Sequence, residues 1–147
     1  SDEFAQKINQ EMRELGLINT SIEEPTGLSP NNISTALDVA MLARQSFSEP
    51  TIEKASILKM FSFSPNGSKI TRKVYNTNQL LDNNLVKITA GKTGSTEAAK
   101  YSLAVSAENA QGKKIIVALL GAPTNNLRFQ ETKNLIWWVF ENYDWGE

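Results

Sequence analysis

The sequence predicts an α+β fold, an antiparallel sheet with helices packed against it. Three observations carry that prediction. Two helical patterns separated by a turn-rich loop make up the first fifty residues and a third the last twenty, two-residue alternation dominates the stretch between, and an Asn-Gly turn joins the first two stranded segments. No linker divides the chain, and its 147 residues suit one domain.

The first helix is predicted from Phe4 to Leu15. Phe4, Ile8, Met12 and Leu15 recur at three- and four-residue steps, and Gly16 ends it. From Leu17 to Ile33 the turn formers Asn19, Thr20, Pro25, Gly27, Pro30, Asn31 and Asn32 predict a structured loop. A second helix starts with Ser34 or Thr35 as N-cap. Asp38 lies in its first turn, Leu37, Ala40, Met41 and Leu42 form its apolar stripe, and it stops by Pro50. Pro50 to Ala55 predicts one short helical turn. Leu58, Met60, Phe61 and Phe63 before Asn66-Gly67, with Ile70, Arg72, Val74 and Tyr75 after it, predict a hairpin. Asn76 and Asn78 are expected to satisfy backbone groups in a turn.

Three further strands are expected over Val86–Ser95, Tyr101–Ala107 and Lys113–Leu120. A closing helix from about Asn125 to Tyr143 is expected to present Phe129, Leu135, Ile136, Val139, Phe140 and Tyr143 to the core. Trp137 and Trp138 cannot both face inward, and the three tryptophans are expected to anchor this helix to the sheet.

Fifteen basic against sixteen acidic side chains leave a formal net charge of −1, which offers no general attraction to a phosphate backbone, so no nucleic-acid partner is expected. The chain has no cysteine and no histidine. That excludes disulfides, thiolate nucleophiles, Cys/His zinc sites and a Ser-His-Asp triad within it. No cofactor or metal is expected. Chemistry must come from Lys, Ser, Thr, Asn, Asp, Glu, Arg or backbone. The longest apolar run, Ile115 to Leu120, is far short of the roughly 20 residues that span a bilayer. The opening Ser1-Asp2-Glu3-Phe4 already lies in a helical pattern, which suggests a processed or truncated product.

The most unusual stretch is Ala90-Gly91-Lys92-Thr93-Gly94-Ser95. Two glycines flank a Lys-Thr pair inside a strand, and glycine weakens a strand unless backbone or ligand must approach closely. Cation, hydroxyl and bare backbone then converge on one strand edge. This suits an anionic, peptide-like ligand, with the N–H after Gly94 available to a developing oxyanion. The plainer alternative is a lysine at the mouth of a strand whose glycines serve a bulge.

Lys-Thr-Gly is one element of the penicillin-binding proteins and class A β-lactamases. The whole chain resembles the catalytic domain of the serine D-alanyl-D-alanine carboxypeptidases, the low-molecular-mass penicillin-binding proteins. The resemblance runs through the Phe4–Leu17 helix, Pro25-Thr26-Gly27-Leu28 and Ser34-Thr35-Ala36 with Asp38, Ala40 and Leu42. It continues through Asn76-Thr77-Asn78-Gln79-Leu80-Leu81, Gly91-Lys92-Thr93-Gly94 with Thr96, Ser106-Ala107, Arg128 and the last helix. Ile8 stands where the family has methionine, and Glu24 where it has asparagine.

The resemblance implies a partial penicillin-binding-protein/β-lactamase-like transpeptidase fold, with residues 1–147 a single, incomplete domain. The family's Ser-x-x-Lys and Ser-x-Asn lie upstream of the helix at which this chain opens, so the nucleophile is expected to be missing. Literal matches at Ser56-Ile57-Leu58-Lys59, Ser64-Pro65-Asn66 and Ser29-Pro30-Asn31 are in the wrong places. Ser56 and Ser64 are only eight residues apart, and the chemistry needs serine and lysine on one helical face.

For the intact enzyme the resemblance implies serine attack on the carbonyl between two D-alanines of a peptidoglycan stem peptide, release of D-alanine and hydrolysis of the acyl-enzyme. β-Lactams would trap the same serine. By motif position Lys92 and Ser95 are the catalytic candidates. Lys92 gives positive potential, and the Ser95 N–H is half of an oxyanion hole. Lys92, Thr93, Gly94 and Arg128 are the substrate-binding candidates; a structural role for Arg128 is the alternative. The family also implies a cell-wall-facing, extracytoplasmic location. A non-catalytic module that binds peptidoglycan ends or a partner is a second reading, and a class A β-lactamase is disfavoured because no loop with a deacylating glutamate is visible. Apolar surface left by a missing part is expected to be covered by a companion N-terminal segment or by self-association.

Overall fold

The computed structural model describes residues 2–67, 69–143 and 145; Ser1, at the head of the first helical pattern, lies outside them. Helix α1 spans Asp2–Glu14 and closes through Gly16, whose φ of +77° is the left-handed conformation that glycine supplies without strain. The Leu17 N–H then reaches back to the Met12 carbonyl at 2.8 Å, and Leu17 is seated at 1% exposure. Of the predicted stripe only Met12 is buried; Ile8 is half-buried, and Phe4 and Leu15 are exposed. A polar clamp ties the helix to the following loop. Asn9 Nδ2 donates to the Ile22 carbonyl at 2.6 Å and its Oδ1 accepts the Ile22 N–H at 2.8 Å.

The loop from 17 to 35 is pinned by a bridge between Ser21 and Ile33 and by Glu24. The Glu24 carboxylate accepts the N–H groups of Thr26 at 2.6 Å, Leu28 at 2.8 Å and Ser29 at 3.0 Å, together with Asn32 Nδ2 at 2.8 Å and the Thr26 hydroxyl. Hydrogen bonds from the Ser29 N–H first, then the Thr26 hydroxyl, hold its pKa down at about 2. A carboxyl depressed from its usual 4.5 stabilises the loop fully above that value and loses the contribution as pH falls toward 2. The loop amides of Thr26, Leu28 and Ser29 are therefore expected to lose exchange protection between those limits, and Glu24→Gln should remove the pH dependence. A Ser29 amide titration with its midpoint near 4.5 would contradict this.

Helix α2 spans Ala36–Ser46, with Thr35 Oγ1 accepting the Asp38 N–H at 3.1 Å as the N-cap. The predicted stripe is rotated. Leu37 and Met41 are exposed, Ala40 and Leu42 are half-buried, and the buried residues are Asp38 and Ala43. Asp38, 3% exposed, links helix to loop by accepting the Thr20 hydroxyl at 2.8 Å and the Asn19 N–H at 3.0 Å. Burial pushes its carboxyl up, but these hydrogen bonds outweigh it and the net shift is downward. Helix α3, Pro50–Ser56, begins with the proline that a first turn tolerates and lies against the edge of the main sheet.

Strands β1 (Met60–Phe63) and β2 (Arg72–Tyr75) form the predicted hairpin as a separate two-stranded ribbon, with Phe61 opposite Val74 and Gly67 in its turn at φ +77°. A 3-10 turn at Gln79–Asp82, absent from the sequence reading, follows it. Asn78 Oδ1 caps this turn by accepting the Leu80 N–H, and Leu80 enters the core.

Strands β3 (Lys87–Thr96), β4 (Lys100–Glu108) and β5 (Lys114–Ala122) form an antiparallel meander in that order, with β3 at one edge. Alternation assigns the two faces. Leu103, Val105 and Ala107 of β4, with Val117 of β5, point toward helix α4 (Asn125–Asn142). Ala104 and Ser106 point toward α2. On α4 the buried stripe is Arg128, Phe129, Thr132 and Ile136, with Val139 and Phe140 half-buried. Leu135 and Tyr143, predicted to face inward, are 41% and 57% exposed: Leu135 lies about 100° round the helix from Ile136, and Tyr143 is the C-cap, whose extended backbone has left the helix. The tryptophans do not anchor the helix to the sheet as expected. Trp137 and Trp138 are exposed, Trp138 meets Tyr143 edge-on at 5.7 Å, and Trp145 tilts against Phe140 at 5.8 Å. Among the described residues no helix is long and apolar enough to cross a membrane.

Candidate functional site

The six residues from Ala90 to Ser95 fall on the edge strand, and their environment changes abruptly within it. Thr89, Ala90 and Gly91 are buried; Lys92, Gly94 and Ser95 are exposed and Thr93 is half-buried. The change occurs where α3 stops covering the edge. The Gly91 N–H points away from β4 and donates to Ser56 Oγ at 3.2 Å, while Ser56 Oγ donates to the Glu53 carbonyl at 2.9 Å. Backbone groups along a strand alternate in direction, and pairing with β4 is regular from Ala90 to Thr96. The N–H and C=O of Thr93 and Ser95 therefore face the same free edge as the Gly91 N–H. The Ser95 N–H thus lies on the open edge, available to an incoming group.

Side chains sort by the same alternation. Lys92 and Gly94, opposite Ala104 and Ser102, lie on the α2 side of the sheet. There they border an apolar cavity of about 390 Å³ whose helical wall includes Val39, Leu42 and Phe47. Lys92 Nζ donates to the Thr93 carbonyl at 2.5 Å. The Thr93 hydroxyl shares a 2.7 Å hydrogen bond with the Thr77 hydroxyl. Asn76 and Asn78 place Thr77 there, and both satisfy backbone groups as expected. Asn76 Nδ2 donates to the carbonyls of Ser56 at 2.8 Å and Leu58 at 3.0 Å, and its Oδ1 accepts the Asn78 N–H at 2.9 Å.

The two glycines differ in what demands them. A Cβ on Gly91 would lie 2.8 Å from Asn78 Nδ2 and 3.2 Å from Val105 Cγ1, so the chain's own packing excludes a side chain. A Cβ on Gly94 would meet nothing nearer than Ser102 Cβ at 3.9 Å. Gly91→Ala is expected to destabilise the fold by about 1–3 kcal/mol through overpacking, whereas Gly94→Ala should leave stability nearly unchanged. Urea unfolding of the two variants checks the contrast.

Arg128 is only 5% exposed. Its Nη1 donates to the carbonyls of Gly94 at 3.0 Å and Ser102 at 3.4 Å, which face each other across β3 and β4. The guanidinium also lies 5.4 Å from the Tyr101 ring centroid and 4.7 Å from that of Phe129. Burial lowers its pKa, opposed by Tyr101. Its contacts are carbonyls and rings, so it braces the end of the lysine strand from behind.

The decoy motifs are scattered. Lys59 lies beyond the end of α3 and pairs with Asp82 at 2.8 Å, so it shares no helical face with Ser56. Ser64 meets Thr71 in the hairpin at 3.3 Å, and Ser29 and Asn31 both bond Glu23 in the loop. Sequence reasoning missed that Ser56 reaches the lysine strand and that Thr77 orients Thr93. The two contacts join positions 35 and 16 residues apart, which local pattern does not relate. Among the described residues no group of three or more acidic side chains gathers as a metal site would require.

Solved structures share this fold. The Streptomyces K15 DD-transpeptidase superposes with a TM-score of 0.84 at 26% identity, covering 94% of this chain and 54% of that one. Penicillin binding protein 5 from Haemophilus influenzae gives 0.82 at 31% identity, covering 96% of this chain and 40% of that one. The fold is therefore that of the DD-transpeptidases and penicillin-binding proteins. The family model described as D-alanyl-D-alanine carboxypeptidase matches residues 1–124. The D-alanyl-D-alanine carboxypeptidase DacA of Haemophilus influenzae is 33% identical over 143 residues, 96% of this chain and 35% of that protein. DacC of Escherichia coli is 33% identical over 144 residues, 97% and 34%. The chain belongs to the D-alanyl-D-alanine carboxypeptidase family, and it spans about a third of the length of these curated relatives.

Proposed function

We propose that the chain supplies the peptide-recognition strand of a serine-type D-Ala-D-Ala carboxypeptidase that cleaves peptidoglycan stem peptides through an acyl-enzyme, and that the nucleophile belongs to polypeptide outside these residues. The observation that carries this reading is the half-open edge of β3, where a cation, a hydroxyl pair and the outward-facing N–H groups of Thr93 and Ser95 line one short groove. A peptide adds to such an edge as an extra strand. Lys92 supplies positive potential to the terminal carboxylate, Thr93 with Thr77 supplies hydroxyls, and Gly94 leaves room for close approach. The Ser95 N–H donates to the oxygen that becomes negative as the scissile carbonyl turns tetrahedral. Arg128 serves carboxylate recognition through the strand it braces. β-Lactams are bound at the same edge, and the site works on the cell-wall side of the membrane. Exposed Leu37 and Met41, on the side of α2 turned away from the cavity, favour a companion segment packed over the outer face of that helix.

The test is fluorescent-penicillin labelling with intact-mass measurement, alongside amide titration with a D-Ala-D-Ala peptide. The expected result is reversible perturbation of Lys92 to Ser95 and no covalent adduct on this chain. A penicilloyl adduct on Ser29, Ser56 or Ser64 would overturn the assignment of roles. Binding without any acylation, even in the longer polypeptide, would favour a non-catalytic module that reads peptidoglycan ends.

A further inference from the structure

Ser56 stands outside every role assigned above, yet it sits where the open edge of β3 begins. Its hydroxyl takes the Gly91 N–H at 3.2 Å, the backbone donor that the next residue of an added strand would otherwise use. Its own proton goes to the Glu53 carbonyl at 2.9 Å, so the hydroxyl is fixed as an acceptor toward Gly91. From Thr89 to Gly91 the strand is buried, and from Lys92 onward it is open. Beyond Gly91, α3 and the turn around Thr77 wall the groove.

We infer that Ser56 is the stop of the peptide groove, a specificity-determining residue that makes the site accept chain ends and reject chain interiors. The inference rests on the peptide reading proposed above. A peptide paired with Ser95 and Thr93 finds no further edge donor at Gly91 and meets the end of α3, so its last residue must lie at Lys92–Thr93. There its carboxylate faces a cation and two hydroxyls. A peptide continuing past that point forfeits one backbone hydrogen bond and strands a polar amide against helix α3. The ligand class is a peptide with a free C-terminal carboxylate.

The stop is tested by amide exchange and by titration of this chain with two probes, a peptide ending in D-Ala-D-Ala and the same peptide extended by one residue. In the unmodified chain the Gly91 amide is expected to be protected, and the free-ended peptide to bind at least tenfold tighter. Ser56→Ala should speed Gly91 exchange and narrow that preference about tenfold, the scale of one hydrogen bond. Ser56→Thr, which keeps the hydroxyl, should restore both. A preference unchanged by Ser56→Ala, or no preference in the unmodified chain, overturns the stop while leaving the peptide reading intact. If neither peptide perturbs β3, the peptide reading fails and the stop falls with it.

Discussion

Alanine in place of Lys92 is expected to weaken binding of a peptide ending in D-Ala-D-Ala by about ten- to a hundredfold. A hydrogen bond to a charged partner contributes about 1.5–3 kcal/mol, and each 1.4 kcal/mol is a factor of ten. Nothing in the fold should compensate for the loss or amplify it. The ammonium is exposed, and its bond to the Thr93 carbonyl is a contact with its own neighbour. Because the charge faces solvent, the difference between the two proteins should shrink as salt rises toward molar concentrations. Isothermal titration at low and high ionic strength measures both effects. Equal affinities for the two proteins would remove Lys92 from the site. Lys92→Arg is expected to recover only part of the loss, since a planar guanidinium on this strand does not reproduce a compact ammonium.

Ile136→Ala is expected to be the most damaging single change to stability, at about 2–5 kcal/mol. Ile136 is fully buried in the cluster that includes Leu103, Val105, Val117 and Phe129. For a domain of this size that corresponds to a melting temperature lower by roughly 10 °C. Leu135→Ala, one residue away and 41% exposed, should cost well under half as much. The effect should also reach the site. Ile136 and Arg128 lie on the same stripe of α4, and Arg128 braces the Gly94 carbonyl, so loosening the helix loosens the lysine strand. Thermal unfolding followed by circular dichroism, with Gly94 and Ser95 amide exchange measured in parallel, tests both parts. A Leu135→Ala loss equal to that of Ile136→Ala would mean that the helix packs on a different face.

Much of this arrangement was legible in the residues. Turn and cap chemistry is local, so Thr35, Gly16 and Asn66-Gly67 placed their elements within a residue or two, and the glycine-flanked Lys92-Thr93 pair marked the strand that carries the site. Which way a helix faces was harder to read. On α4 the buried stripe contains Arg128 and Thr132, polar residues that an apolar-pattern reading passes over in favour of Leu135 and Tyr143. Asp38, which the sequence places in the first turn of a helix, is a buried acceptor joining helix to loop across 19 positions. The contacts that complete the site are longer in sequence still. Ser56 and Gly91 are 35 residues apart, and Thr77 and Thr93 are 16 apart. No local periodicity encodes such pairs; they exist only once α3 and the turn after β2 are laid along the sheet edge.

The open half of β3 carries a hazard as well as an opportunity. An unpaired strand edge is a template for any passing strand, including the same edge of another copy, and proteins that keep one exposed blunt it with charge or with residues that pair poorly. Lys92 and Gly94 do both on this edge. Two such edges brought together would bring two lysines close to one another and present glycines that offer no side chain to pack. If this pair receives a short anionic peptide as proposed, the same charge and the same bare backbone would disfavour a second copy of the strand, and recognition and protection from edge-to-edge association would share two residues.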